Sequence, residues 1–198
     1  CFDYELTIIF ANFAVKDLAM HILDILQNSL RAGATRIGLE VNEESLSHRL
    51  TFTITDNGKG MSEETRTNAT DPFFTSRTTR RIGMGLPLLK QNAEQTGGHV
   101  SIESEEGKGT QVTALFHRDH IDCPALGDLV GTVVMTVTSN PGIEFNYHHR
   151  KDGLEFVFNS GEIKSALDGV GLNDPAVYPL LCEMVTNNLS EMNVDLTT

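Results

Sequence analysis

From Leu50 the chain alternates apolar and polar side chains through Leu50, Phe52 and Ile54, then runs straight into Asp56-Asn-Gly-Lys-Gly-Met61. Period-two alternation marks a strand with one buried face. An acid followed by spaced glycines at the strand end turns the chain at the margin of a sheet. It also leaves a carboxylate beside backbone that carries no Cβ atoms. Taken alone, such a run is most often a tight turn with a capping Asp. Its weight comes from what surrounds it.

Upstream, Leu18, Ile22, Ile25, Leu26 and Leu30 recur at helical spacing between Val15 and Arg31. The complementary stripe is Asp17, His21, Asp24, Asn28 and Arg31, which the 3.6-residue repeat sets on one helix face. Gly33 is a natural stop. The common fate of such a stripe is to face water. A functional reading attaches to Asn28, a mediocre helix former in mid-helix whose amide oxygen suits a hard cation.

Strands are expected over 35–41 and 50–55, with a polar, Thr- and Arg-rich stretch over 62–82 broken by Asp71-Pro-Phe-Phe74. A segment of that length between elements reads as a functional loop or lid. Gly83-Met-Gly-Leu-Pro87 opens a helix to about Gln95, with Pro87 tolerable in the first turn. Strands 100–103 and 111–116 form a pair joined by Glu106-Gly-Lys-Gly-Thr110.

Beyond about Asp119 the sequence reads as an appended α+β subdomain, 119–198. Leu126, Leu129, Val130, Val133, Val134 and Val137 predict a helix ending near Asn140-Pro141. Strands 143–149 and 154–158 predict a hairpin with a longer turn at Arg150-Lys-Asp-Gly153, and a last helix runs from after Pro175 to about Met192. Residues 1–14 read as a strand or a non-native remnant, with too acidic a start for a secretion signal.

The 198 residues, 39% apolar, allow one sizeable core. The net charge of −12 disfavours a nucleic-acid partner. No apolar run approaches the ~20 residues that span a bilayer. The cysteines, Cys1, Cys123 and Cys182, form no CxxC pair, which fits a reducing, cytoplasmic setting.

A nucleotide site needs an acceptor for the base amino group, glycines that admit base and phosphates, a magnesium ligand, and donors around the phosphates. The Walker pattern GxxxxGK[ST] is missing. The other parts occur in order, and they resemble the motif set of the GHKL superfamily of gyrase-type, chaperone, histidine-kinase and mismatch-repair ATPases. Asp24-Ile-Leu-Gln-Asn28-Ser-Leu-Arg31 is similar to its N box and Asp56-Asn-Gly-Lys-Gly-Met61 to the G1 box. Asp71-Pro-Phe-Phe-Thr-Ser-Arg77 resembles the F box of histidine kinases. Gly83-Met-Gly-Leu86 resembles the G2 box, and Gly107-Lys-Gly-Thr110 the last. The resemblance covers residues 15–118.

That resemblance implies a Bergerat fold, a two-layer α/β sandwich with a mixed sheet, binding ATP and Mg2+. It implies that Asn28 coordinates magnesium, with Asp24 as general base or second metal ligand, and that Arg31 reaches a phosphate. Asp56 would accept from the adenine amino group, beside Gly58, Gly60 and Met61, with Thr110 supporting its carboxylate. Phe73 or Phe74 would anchor a lid over 62–82, and Arg77, Arg80 and Arg81 would serve the polyphosphate. Gly83, Met84, Gly85 and Leu86 would wrap the phosphates.

Position 24 decides the chemistry. Hydrolysing members carry Glu there and many histidine kinases Asn, whereas this chain has the shorter Asp. None of the seven histidines is followed by an acid, and the stretch ahead of Asp24 is too short for a helical hairpin, so no phosphoacceptor is expected within the chain. His21 reads as a structural partner on a polar face, and His148-His149 as surface. Three readings stand: a kinase-type domain acting on a separate protein, a slow ATPase that signals through protein contacts, and a non-enzymatic ATP sensor. The Ser29–Ile37 segment resembles the mismatch-repair branch and favours the second locally. The F box and short lid favour the histidine-kinase branch. A homodimer is compatible with each.

Overall fold

The structure, a computed structural model, describes residues 17–71 and 85–196. Phe73, Phe74, Arg77, Arg80, Arg81, Gly83, Met84 and the first sixteen residues, on which several expectations fall, lie outside the described residues.

Helix α1 spans Leu18–Arg31 and begins where Asp17 caps it, the side chain accepting from Met20 N at 2.8 Å. Its apolar stripe packs on a six-stranded sheet ordered β3-β4-β2-β1-β5-β6. The strands are β1 (Arg36–Glu44), β2 (Arg49–Asp56), β3 (His99–Glu105), β4 (Gly109–His117), β5 (Glu144–Lys151) and β6 (Leu154–Asn159). All neighbours are antiparallel except β1 and β5, which run parallel. The sheet is therefore mixed, as expected for the α/β sandwich.

Alternate residues of β1 and β2 are buried, so one sheet face meets the helices. Phe52 and Phe116 stack on that face with ring centroids 6.1 Å apart. On the opposite face Thr53 and Thr113 pair their hydroxyls at 3.1 Å. The helical layer comprises α1, α3 (Gly85–Gln95), α4 (Leu129–Ser139) and α6 (Val177–Glu191). The short helices α2 (Glu63–Asn68) and α5 (Ser160–Ala166) pack beside β3 and β5. Helix α2 starts the stretch expected as loop or lid, and Ser62 caps it.

The residues after 119 add β5 and β6 to the sheet that carries β1 and β2, and Phe145, Tyr147, Val133 and Val185 belong to the same buried cluster as Ile22 and Phe52. The β5–β6 turn is tighter than the sequence suggested. Strand pairing continues through Lys151, leaving Asp152 and Gly153 as the loop, both at positive φ (49° and 88°). Two such residues match the twist of a hairpin. Asp152 then accepts from Ser45 N and Oγ, tying this turn to the β1–β2 turn.

His149 is a correction. Read from the sequence as surface, it is fully buried, with Nδ1 2.7 Å from the Tyr147 hydroxyl and Nε2 2.9 Å from Glu43 Oε1. It continues the alternation of Phe145 and Tyr147 on the covered face of β5. Among the described residues no helix is long and apolar enough to cross a membrane.

Candidate nucleotide site

Strand β2 delivers Asp56 to the sheet margin, where it is 9% exposed. A carboxylate so placed needs donors, and it has two. Ser29 Oγ donates to Oδ2 at 2.6 Å, and Gly58 N donates to Oδ1 at 2.8 Å. Each oxygen keeps acceptor capacity after these bonds. Ser29 falls at core spacing on the apolar stripe of α1, which is why its hydroxyl points at the sheet. Sequence reasoning missed it, although a polar residue in that register was the available signal.

Thr110 was expected to support this carboxylate. It lies opposite Asp56 in the β2–β4 pairing, while its hydroxyl pairs with Ser104 Oγ at 2.9 Å. Ser104 also donates to Gly109 O and accepts from Met61 N, both at 2.9 Å. The 57–61 loop is thus pinned to the β3–β4 turn, with Gly107 N donating to Lys59 O at 2.8 Å. Gly60 sits at φ +65°, and a Cβ there would lie 2.0 Å from Glu105 O, so only glycine fits. Asn57 serves the fold instead: its Oδ1 accepts from Thr35 N and Arg36 N, fixing the start of β1.

A cavity of about 400 Å³ opens between α1 and these loops. Its walls include Asn28, Ser29, Arg31, Asp56, Lys59, Gly60, Met61, Leu86 and Thr110. The volume suits a ligand of nucleotide size. Expected residues from α1, from the end of β2, from α3 and from β4 therefore meet around one space. Lys59, exposed in the loop, is a cation that the sequence reading did not single out.

Asn28 Oδ1 accepts from Arg31 Nη1 at 3.0 Å. Asp24 precedes Asn28 at i, i+4 on α1 and lies against Gly85 at the start of α3. Among the described residues no three His, Cys, Asp or Glu side chains cluster to cage a metal. Magnesium does not require such a cage; one or two oxygen ligands together with substrate phosphates suffice. Asn28 and Asp24 fit that role by donor chemistry.

His21 does not lie on a solvated face. It is 2% exposed beneath α3, with Nε2 2.9 Å from Asn92 Nδ2 and Nδ1 without a hydrogen-bond partner. Burial pushes its pKa down to about 4, so the ring is neutral at pH 7.

The sequence model of the histidine kinase-, DNA gyrase B- and HSP90-like ATPases matches residues 14–120, and the chain belongs to that family. It is 32% identical over 103 residues to a putative sensor protein of Shewanella frigidimarina, covering 51% of this chain and 16% of that protein. It is 31% identical over 97 residues to the sensor histidine kinase ZraS of Salmonella typhimurium, covering 48% and 21%. With the sensor protein kinase GraS of Staphylococcus aureus the identity is 33% over 109 residues, covering 52% and 30%. The chain thus spans less than a third of the length of these relatives. A crystal structure of the N-terminal domain of a DNA repair protein shares the fold, with a TM-score of 0.53 at 15% identity, covering 83% of this chain and 60% of that one.

Proposed function

We propose that the cavity binds Mg-ATP and that the domain phosphorylates, or signals to, a separate protein in a cytoplasmic setting. The observation that carries this reading is the Asp56 carboxylate, held by Ser29 and Gly58 in the wall that Asn28 shares. Asp56 accepts from the adenine amino group while Gly60 and Met61 flank the base. Asn28 and Asp24 hold Mg2+, which neutralises phosphate charge when bound, and Arg31 reaches a phosphate. Gly85 and Leu86 border the polyphosphate. The sensor kinases among the relatives favour transfer to a separate phosphoacceptor.

Calorimetry with Mg-ATP and Mg-ADP tests the binding step: heat is expected for both, and Asp56→Ala should abolish it. No heat from the intact chain sinks the reading. Labelled ATP incubated with the chain and cell extract should then label a partner band.

A slow ATPase that couples nucleotide binding to protein contacts is the second reading. It is favoured by the fold likeness to the DNA repair domain, which covers 83% of the chain and so reaches beyond the family match at residue 120. Phosphate release that disappears in Asp24→Asn would select it. Binding with neither release nor transfer would leave a nucleotide sensor.

A further inference from the structure

Strand β6, Leu154-Glu-Phe-Val-Phe-Asn159, ends one side of the sheet, with β5 as its one neighbour among the described strands. Its hairpin loop is the two residues Asp152 and Gly153, which makes the flanking Lys151 and Leu154 a hydrogen-bonded pair. The amides of Leu154, Phe156 and Phe158 therefore turn to β5, while those of Glu155, Val157 and Asn159 turn outward. Among the described residues no hydrogen bond reaches these outward amides. The usual defences of an edge are missing, since the strand holds no Pro or Lys and its pairing has no bulge. Helix α5, which follows it, packs on β5. Val157 is 60% exposed and Leu154 51%. The opposite edge is unlike it: β3 carries Glu103 and Glu105 and has α2 beside it.

We infer that β6 is a dimerisation edge, on which a second copy of this chain pairs antiparallel about a two-fold axis at Val157, joining two six-stranded sheets into one. Register and charge both favour a copy of the same strand. Only a pairing centred on Val157 sets all three outward-turned residues against one another, Val157 on the partner's Val157 and Glu155 on the partner's Asn159. The one acid of the strand then meets a neutral amide, which already caps α5 through Oδ1 and donates to Asn146 through Nδ2. Glu155 keeps its own His148, with Nε2 3.0 Å from Oε2. Centring the pair on Glu155 would set acid against acid. Six residues from each copy make a small interface, so the dimer is weak, with a Kd on the order of micromolar. Each copy carries a net charge of −12, and screening of that repulsion makes association tighten with salt. The nucleotide cavity lies across β1 from this edge, so the inference is independent of how that cavity is read.

Sedimentation equilibrium on the full chain, at low and at high salt, tests the edge. Wild type should show a monomer–dimer equilibrium that tightens with salt. Val157→Lys, an exposed change that sets two cations face to face, should weaken it roughly tenfold or more at low salt while the urea midpoint stays put. A short bismaleimide should link Val157→Cys as a dimer well above the level of wild type and of Thr53→Cys, which lies on the open sheet face. Wild type that stays monomeric at every concentration and salt overturns the second copy as the occupant of this edge. A dimer that survives Val157→Lys, or one in which Val157→Cys fails to link, overturns it as well.

Discussion

Ser29 and Asp56, 27 residues apart, are joined by a buried hydrogen bond of 2.6 Å between helix α1 and the end of strand β2. The helix that carries Asn28 is thereby locked to the strand that carries Asp56, the residue proposed above to accept from the base. Ser29→Ala removes the hydroxyl and leaves Oδ2 short of a donor, which costs roughly 1–3 kcal/mol. Mg-ATP binding by calorimetry should weaken by about tenfold, with Ser29→Thr closer to wild type. Equal affinity in the alanine variant would show that the bond does not order the site.

The loop after Asp56 should respond to two glycine substitutions very differently. Gly60→Ala meets Glu105 O at 2.0 Å and must push the loop off the β3–β4 turn, whereas Gly107→Ala, also at positive φ (+77°), meets nothing within 4 Å. Gly107→Ala should cost about 1–2 kcal/mol of left-handed strain. Gly60→Ala should cost more and also lose nucleotide affinity. Urea unfolding together with calorimetry separates the two effects.

His21 should make the fold acid-sensitive within a defined window. Its pKa falls from 6.5 unfolded to about 4 folded because burial disfavours the charged ring. Between those values the unfolded chain binds a proton that the folded chain does not, so stability rises with pH across the window. The contribution is complete above pH 6.5 and is lost as pH drops to about 4, to a ceiling of roughly 3 kcal/mol. Urea titrations at several pH values should show His21→Gln with a flatter slope than wild type between pH 4 and 6.5. Parallel slopes would exclude this burial effect.

The Glu43–His149–Tyr147 chain of hydrogen bonds lies toward the other end of β1 from Ile37, which pairs with Asp56. Glu43→Ala leaves the buried His149 Nε2 without its carboxylate and should cost about 1–3 kcal/mol in urea unfolding. Mg-ATP affinity of the folded fraction should be unchanged. A large affinity loss would mean that this network reaches the nucleotide cavity.

The elements were legible where one physical signal dominated. Alternation through Leu50, Phe52 and Ile54 marked β2, and the 3.6-residue recurrence of Leu18, Ile22 and Ile25 marked α1. Motif order brought Asn28, Asp56, Leu86 and Thr110 to one cavity. What escaped was set by contacts distant in sequence. The parallel pairing of β1 with β5 has no local signature, so the C-terminal strands could not be placed on the sheet. His149 looked polar beside His148, and its burial follows from that same pairing. Ser29 was hidden by its neighbour Asn28, and His21 by sharing a stripe with Asp24 while α3 covers it.

Strand β1 bonds to β2 along one side and to β5 along the other, and α1 packs on α4. A fragment cut near residue 120, where the family match ends, would retain each cavity-lining side chain yet bare a nine-residue strand edge and a flank of α1. Naked edges recruit other edges. The nucleotide half, excised on the strength of its sequence match alone, should come out of solution as self-associated material, because the part of the chain with no recognised motif is what closes its seam.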